Sequence, residues 1–96
     1  MRIDTEEWEL LECELRKIPL ETMRTYLLTH QWELRKQNDN RFELYSSIDG
    51  ILIMLPVQRK LSDYWYRFYD AVRTLARFEH LWMPYMVIRL IEQGKE

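Results

Sequence analysis

The stretch FELYSSIDGILIMLP, residues 42–56, decides the fold. Its first half alternates side chains between the two faces of an extended chain, which predicts a β-strand. Asp49-Gly50 follows, and this pair readily adopts the positive φ angles of a tight hairpin turn. Residues 51–55 are all apolar and predict the second strand of the hairpin, which Pro56 ends because proline cannot donate a ladder hydrogen bond. Because both faces of residues 51–55 are apolar, we expect this strand to be covered on both sides.

The residues before this hairpin predict a further strand. At Gln31 the pattern changes from a helical to an alternating period, with Trp32 on one face of the chain and Glu33 on the other. Residues 38–40, Asn-Asp-Asn, predict the turn that leads into residues 42–47, because Asn and Asp tolerate left-handed backbone. The three strands together form a predicted antiparallel meander.

Two helices are predicted before the meander. The first covers about residues 5–17, begins at the capping-box-like pair Asp4 and Glu7, and ends before Pro19. Its apolar stripe consists of Trp8, Leu11, Leu15 and Ile18. The second helix covers about residues 20–29.

Two more helices are predicted after the meander. The longer one covers about residues 63–79, with its N-cap at Ser62. Its apolar stripe consists of Trp65, Phe68, Val72, Leu75 and Ala76. Pro84 begins the last helix, at about residues 84–93, and Gly94 ends it. The residues that we expect to face inward on this helix are Val87, Ile88 and Ile91.

The predicted fold class is therefore α+β, with the order α-α-β-β-β-α-α. The chain has 96 residues, which is enough for one domain and too few for two. We expect the meander and its neighbouring helices to form a core of about residues 20–79, with additional helices at about residues 5–17 and 84–93.

The element order over residues 20–79 resembles the double-stranded-RNA-binding domain and the related bacterial toxins of HicA type. Trp32 and the pair Leu55-Pro56 are similar to residues that those toxins carry at the start of the first strand and the end of the third. The resemblance implies a fold of that type. Residues 38–42 contain no counterpart of the toxins' catalytic histidine. The lysine-rich cluster of the RNA-binding domains is reduced here to Gln-Arg-Lys at residues 58–60, so neither function follows from the resemblance.

Charge is unevenly distributed along the chain. The net charge of −2 argues against a general nucleic-acid binder, because affinity for phosphate depends on excess Lys and Arg. Residues 1–22 nevertheless carry a balance of −4, and residues 57–77 carry a balance of +3. These two regions are complementary within one molecule, between two copies, or toward other partners.

Aromatic and basic side chains supply the candidate binding residues. Four Trp, six Tyr and three Phe exceed what one small core usually holds, which indicates either a core rimmed by Tyr hydroxyls or a surface that binds a partner. On the helix at 63–79, Tyr combined with Arg suits a protein interface or a phosphate group, although a solvated face has the same composition. The candidate partner-binding residues are Arg59, Lys60, Tyr66, Arg67, Arg73 and Arg77.

No pattern of catalytic or metal-binding residues is present in the sequence. His30 and His80 are fifty residues apart and are predicted as polar C-terminal caps of helices. Cys13 is the only cysteine, so no intramolecular disulfide is expected and a reducing cytoplasm is the expected location. No apolar run approaches the ~20 residues that span a bilayer, so no membrane partner is expected. We expect no cofactor, and the sequence favours a non-catalytic role over an enzymatic one without deciding between them.

The leading hypothesis from the sequence is a small non-catalytic bacterial protein-interaction module, either self-associating or part of a larger complex. One alternative is a divergent double-stranded nucleic-acid-binding domain that uses the basic face of residues 63–79. A second alternative is a toxin–antitoxin or phage-defence component of HicA-like fold without the catalytic histidine, in which His30 is the nearest candidate base.

Overall fold

The computed structural model describes residues 13–38 and 41–94. The chain is helical at residues 13–15, and these residues are labelled α1. The remaining elements, in order, are α2 (Leu20–Thr29), β1 (Glu33–Asn38), β2 (Phe42–Ser46), β3 (Leu52–Pro56), α3 (Tyr64–Phe78) and α4 (Met83–Gln93). This confirms the predicted α+β class and the order α-α-β-β-β-α-α. Most of the predicted first helix, and the turn residues 39–40, lie outside the described residues.

The three strands form the predicted antiparallel meander in the order β1-β2-β3. Leu44 of β2 lies opposite Met54 of β3, and the neighbouring pair is Tyr45 with Ile53. The register between β1 and β2 shifts between Leu34 and Lys36, which places a bulge in the edge strand. Gly50 has a φ of 85°, as the Asp-Gly hairpin turn requires.

The helices cover one face of this sheet. On that face Tyr45, Ile53 and Leu55 are buried, and α3 packs against β3. The largest fully buried side chains of the core are Trp32, Tyr26, Tyr45, Tyr64 and Phe68. Leu15 and Ile18, two members of the apolar stripe predicted for the first helix, are also fully buried, which confirms that part of the prediction.

The expectation that β3 is covered on both sides is wrong. Along β3, Leu52 and Met54 are 56% and 47% exposed, whereas Ile53 and Leu55 between them are buried. The α2, α3 and α4 helices contact one another or the helix-bearing side of the sheet, so the other face has no layer above it within the described residues. A strand that is apolar on both faces therefore has one apolar face open to solvent.

The ends of α2 and α3 have the same backbone geometry. Gln31 and His80 both have positive φ angles, 71° and 58°. The Trp32 N–H donates to Leu27 O at 2.9 Å, and Leu81 N–H donates to a carbonyl of α3 at the same distance. These are the long bonds of two Schellman motifs, in which non-glycine residues occupy the left-handed position.

The two histidines that were predicted as helix caps occupy different positions at their helix ends. His30 is the C-cap of α2, and its Nδ1 lies 2.8 Å from the Tyr26 carbonyl oxygen, which confirms the predicted capping role. His80 follows the C-cap of α3, Glu79, and holds the left-handed position through its backbone. The N-cap of α3 is Asp63 rather than the predicted Ser62, a difference of one residue.

The buried side of helix α4 differs from the predicted one. Its buried residues are Met86, Val87 and Leu90, so Val87 faces inward as expected. Ile88 is 50% exposed, and its predicted inward position is wrong. The error arises because the buried stripe runs through Met86, Val87 and Leu90. Ile88 lies about 100° from Val87 around the helix, on the side away from Met86.

Candidate protein-interaction surface

The predicted basic residues of α3 do not form one patch. Successive residues of a helix are rotated by about 100°, so Tyr66, Arg73 and Arg77 lie within one narrow sector of α3 opposite its buried side. Tyr66 is 61% exposed, and Asp70 lies in the same sector as an acidic member. This sector is defined here as the α3 ridge.

Arg67 lies outside the α3 ridge, toward the open face of the sheet. Its Nε donates to the Asp63 carboxylate at 2.9 Å, which lowers the pKa of Asp63 and raises that of Arg67. The guanidinium group also lies 5.7 Å from the centre of the Phe42 ring. Arg67 therefore connects α3 to β2 within the molecule.

Arg59 lies on the opposite flank of α3. Its guanidinium group is 5.8 Å from the centre of the Trp65 ring, and the guanidinium group of Arg16 is 5.2 Å from the same ring. Lys60 is exposed in the same connection. The structure thus separates the six predicted residues into the α3 ridge, Arg67 at the sheet, and Arg59 beside Trp65, with Lys60 next to it in the chain.

A row of exposed apolar side chains on α4 was not identified from the sequence. Trp82, Tyr85 and Ile88 are 76%, 62% and 50% exposed. They are spaced by three residues, with Tyr85 and Ile88 on the side of α4 away from its buried stripe and Trp82 at the N-cap before the helix. The rings of Trp82 and Tyr85 are 6.3 Å apart, centre to centre, with an angle of 33° between their planes. This set is defined here as the α4 row.

The position of Trp82 at the start of α4 has no capping function. Trp82 is the N-cap residue, and its side chain makes no hydrogen bond to the backbone of the helix. Ser, Thr, Asp and Asn are preferred at this position because their side chains accept a hydrogen bond from a free backbone N–H. An exposed indole therefore occupies a position at which a small polar residue gives a more stable helix.

A groove lies beside the far end of the α4 row. It encloses about 510 Å³ between the end of α1 and α4. Its lining residues include Glu14, Lys17, Ile88, Ile91 and Glu92. Its floor is apolar on the α4 side, and Lys17 and Glu14, which form an ion pair at 3.0 Å, border it on the α1 side.

Two partly buried polar clusters connect α2 to neighbouring elements. In the first, the Arg24 guanidinium group donates to both carboxylate oxygens of Glu43, at 2.9 and 3.0 Å, and the Tyr45 hydroxyl donates to the same carboxylate at 3.0 Å. Glu43 is 6% exposed. Burial, followed by the nearby Glu43 charge, raises the pKa of Tyr45 to about 12. This cluster ties α2 to β2.

The second cluster ties α2 to the end of α3 and to α4. The Tyr26 hydroxyl donates to the Glu79 carboxylate, with both oxygens at 2.7 Å, and Arg89 donates to the same carboxylate at 3.1 Å. The His30 ring is stacked on the Tyr26 ring at 3.8 Å. Burial and the hydrogen bond to Glu79 raise the pKa of Tyr26 to about 12, so its hydroxyl stays protonated at neutral pH.

Both clusters have their charges paired within the molecule. Each carboxylate accepts hydrogen bonds from a tyrosine and an arginine, so the charges are matched inside the molecule. Among residues 13–38 and 41–94, no three His, Cys, Asp or Glu side chains lie close enough together to hold a metal ion. In the same part of the chain, no helix is both long enough and apolar enough to cross a bilayer.

A scan against protein-family models and searches of curated proteins and solved structures found no match to this chain. The resemblance to the double-stranded-RNA-binding domain and to HicA-type toxins therefore stays a prediction from element order.

Proposed function

We propose that this chain is a small non-catalytic protein-interaction module that binds through the α4 row. The observation that carries the proposal is the exposure of Trp82, Tyr85 and Ile88 side by side on one helix. Together they expose roughly 400 Å² of largely apolar surface, which is the size of the largest apolar patch on a typical monomeric protein, and such a patch is often functional. Trp and Tyr are also enriched among the residues that contribute most to binding energy.

The α3 ridge is a weaker candidate for the main binding surface. Its side chains are an intermixed set of Arg, Asp and Tyr, and such a set is stable in water without a partner. The α4 row is different because water contact with a largely exposed indole is unfavourable at ~25 cal/mol per Å² of apolar surface. The proposal therefore gives the α3 ridge at most a flanking role.

The nucleic-acid alternative has less support. Of its five predicted cations, Arg67 is paired with Asp63 and Arg59 lies against Trp65, so each already has a contact within the molecule. A domain that binds duplex RNA or DNA through the remaining cations should lose affinity steeply as salt rises. Binding of a duplex at low salt with a steep salt dependence would support this alternative over the proposal.

The toxin-like alternative depends on His30 as a base. The Nδ1 atom of His30 lies 2.8 Å from a backbone carbonyl oxygen, and its ring is stacked on Tyr26. These contacts are those of a helix cap. Ribonuclease activity that disappears in His30→Ala would support the alternative.

The test of the proposal compares two surface variants of the tagged chain, each expressed in its source cells and recovered after chemical cross-linking. The first variant carries Trp82→Ser with Tyr85→Ser, and the second carries Tyr66→Ala with Arg73→Glu. We expect the wild type and the α3 variant to be recovered in a cross-linked complex, and the α4 variant to be recovered alone.

Three outcomes would contradict the proposal. They are a wild type that forms no cross-linked complex with itself or another protein, a complex that survives in the α4 variant, and a complex that is lost only in the α3 variant. The last result would support the binding residues predicted from the sequence. Circular dichroism spectra and urea midpoints of both variants serve as folding controls.

A further inference from the structure

The spacing of the α4 row allows it to pack against a second copy of itself. Its three side chains are equally spaced, three residues apart, and extend about 9 Å along the helix axis with Tyr85 at the centre. In a two-fold dimer, residue i of one copy contacts residue j of the other, and j contacts i. Antiparallel packing about Tyr85 therefore places Trp82 of each copy against Ile88 of the other. We propose, on the basis of the proposed function, that the partner of the α4 row is a second copy of this chain.

The groove beside Ile88 gives the Trp82 ring of the other copy a place to bind. A cavity of ~150 Å³ accommodates benzene, so a groove of about 510 Å³ has room for an indole ring. Ile91 supplies an apolar wall, and Lys17, whose side chain is 61% exposed, supplies a cation at the rim. Trp is the aromatic ring that binds a cation best. Ile88 belongs both to the α4 row and to the lining of the groove, so the two are contiguous on one chain.

Charge at the ends of the row is compatible with this packing. Glu92 lies one turn beyond Ile88 and is exposed. In the antiparallel arrangement it extends past Trp82 of the other copy, toward the end of α3, where Arg77 and His80 are exposed. Glu92 therefore approaches exposed basic residues at both sides of the two-fold axis, and Arg89, which lies one turn beyond Tyr85, is paired with Glu79 of its own chain.

The area of the contact predicts a weak dimer. Two α4 rows together bury roughly 800 Å² from their six side chains, and the groove contacts add to this. Stable interfaces bury about 1,200–2,000 Å² in total, so the dimer lies at the lower limit. We therefore expect dissociation constants in the micromolar range or weaker.

Disulfide cross-linking tests this arrangement at its axis. Tyr85 and Tyr66 are a matched pair, because each is a tyrosine on the outer side of a helix and they are 62% and 61% exposed. Each is replaced by Cys in a Cys13→Ser chain, which removes the exposed native thiol. At tens of micromolar protein under mild oxidation, we expect Tyr85→Cys to form disulfide dimers at least ten times faster than Tyr66→Cys. Adding Trp82→Ser to Tyr85→Cys should remove this difference.

Two results would overturn the inference. One is equal cross-linking of the Tyr85→Cys and Tyr66→Cys chains, and the other is fast cross-linking that Trp82→Ser does not slow. The proposed function is tested separately. A complex with a different protein that requires the α4 row would support the proposed function, but it would contradict the inference that the partner is a second copy. Trp82→Ser places a preferred N-cap residue on α4, so loss of cross-linking in this variant does not reflect loss of the helix.

Discussion

Removal of the Arg24 side chain should strongly destabilise the protein, because Glu43 would remain buried without its cation. Glu43 is 6% exposed and receives two charge-assisted hydrogen bonds from Arg24, at 2.9 and 3.0 Å. Removing one partner of a buried ion pair costs about 3–5 kcal/mol. The Arg24 side chain is itself 28% exposed, so water partly replaces it. For Arg24→Met we therefore expect a decrease of about 2–4 kcal/mol in the free energy of unfolding.

Urea denaturation followed by tryptophan fluorescence measures this change directly. A loss of this size lowers the melting temperature by about 10–25 °C in a domain of this length. The matched control is Glu21→Gln, because Glu21 also pairs with Arg24 but its side chain is 77% exposed. We expect that control to change stability by less than about 1 kcal/mol.

The double variant Arg24→Met with Glu43→Leu separates the ion pair from general packing. Replacing both partners by apolar residues removes the buried charge, so the double variant should be more stable than Arg24→Met alone. The reasoning is refuted if Arg24→Met is no more destabilising than Glu21→Gln, or if Glu43→Leu gives no recovery.

Three further predictions concern the core, a helix end and alkaline pH. Leu55→Ala should cost about 2–5 kcal/mol in urea denaturation, whereas Leu52→Ala on the open face of the same strand should cost less than about 1 kcal/mol. His80→Gly should raise the free energy of unfolding measured in urea by about 0.5–1 kcal/mol, because glycine relieves the left-handed backbone, and His80→Ala should give no gain. Burial and a neighbouring carboxylate raise the pKa values of Tyr26 and Tyr45 to about 12, above their ordinary value near 10. The folded chain thus holds these protons more tightly, so stability present below pH 10 should fall as pH rises to 12, and a chain with Phe at both positions should show a flatter decrease.

The meander was predictable because its signals are local. The Asp-Gly turn needs a positive φ angle at Gly50, and Pro56 ends the strand, so chain order and strand pairing followed from a few residues. The number of layers on the sheet was not predictable. Apolar residues at positions 51–55 are compatible with one covered face or two, and only the packing of the helices decides which face is open.

The burial of Glu43 also could not be predicted from the alternating pattern of its strand. The pattern at residues 42–47 gives two faces, and the face that carries Glu43 and Tyr45 is the one packed against the helices. That orientation is stable because Arg24 approaches from a different helix, nineteen residues earlier in the chain. A pairwise interaction of this kind is not visible in the period of either segment.

The α4 row could have been found from the sequence with a different choice of stripe. The prediction placed Val87, Ile88 and Ile91 inward, which is one of two apolar stripes on this helix. Choosing Met86, Val87 and Leu90 instead leaves Ile88 outward together with Tyr85, and this is the observed arrangement. Since nearly all of α4 is apolar, its period alone does not distinguish the two stripes. The packing of α4 against α2 and α3 determines which stripe is buried.

Sedimentation velocity tests the central claim, that the α4 row binds a second copy of the chain, most directly. The wild type, the double variant Trp82→Ser with Tyr85→Ser, and the control Tyr66→Ser are compared from about 5 to 500 µM. We expect the sedimentation coefficient of the wild type and of the control to rise with concentration from that of a 12.0 kDa monomer toward that of a dimer. The double variant should remain monomeric throughout. Coincident curves for the wild type and the double variant would contradict the account.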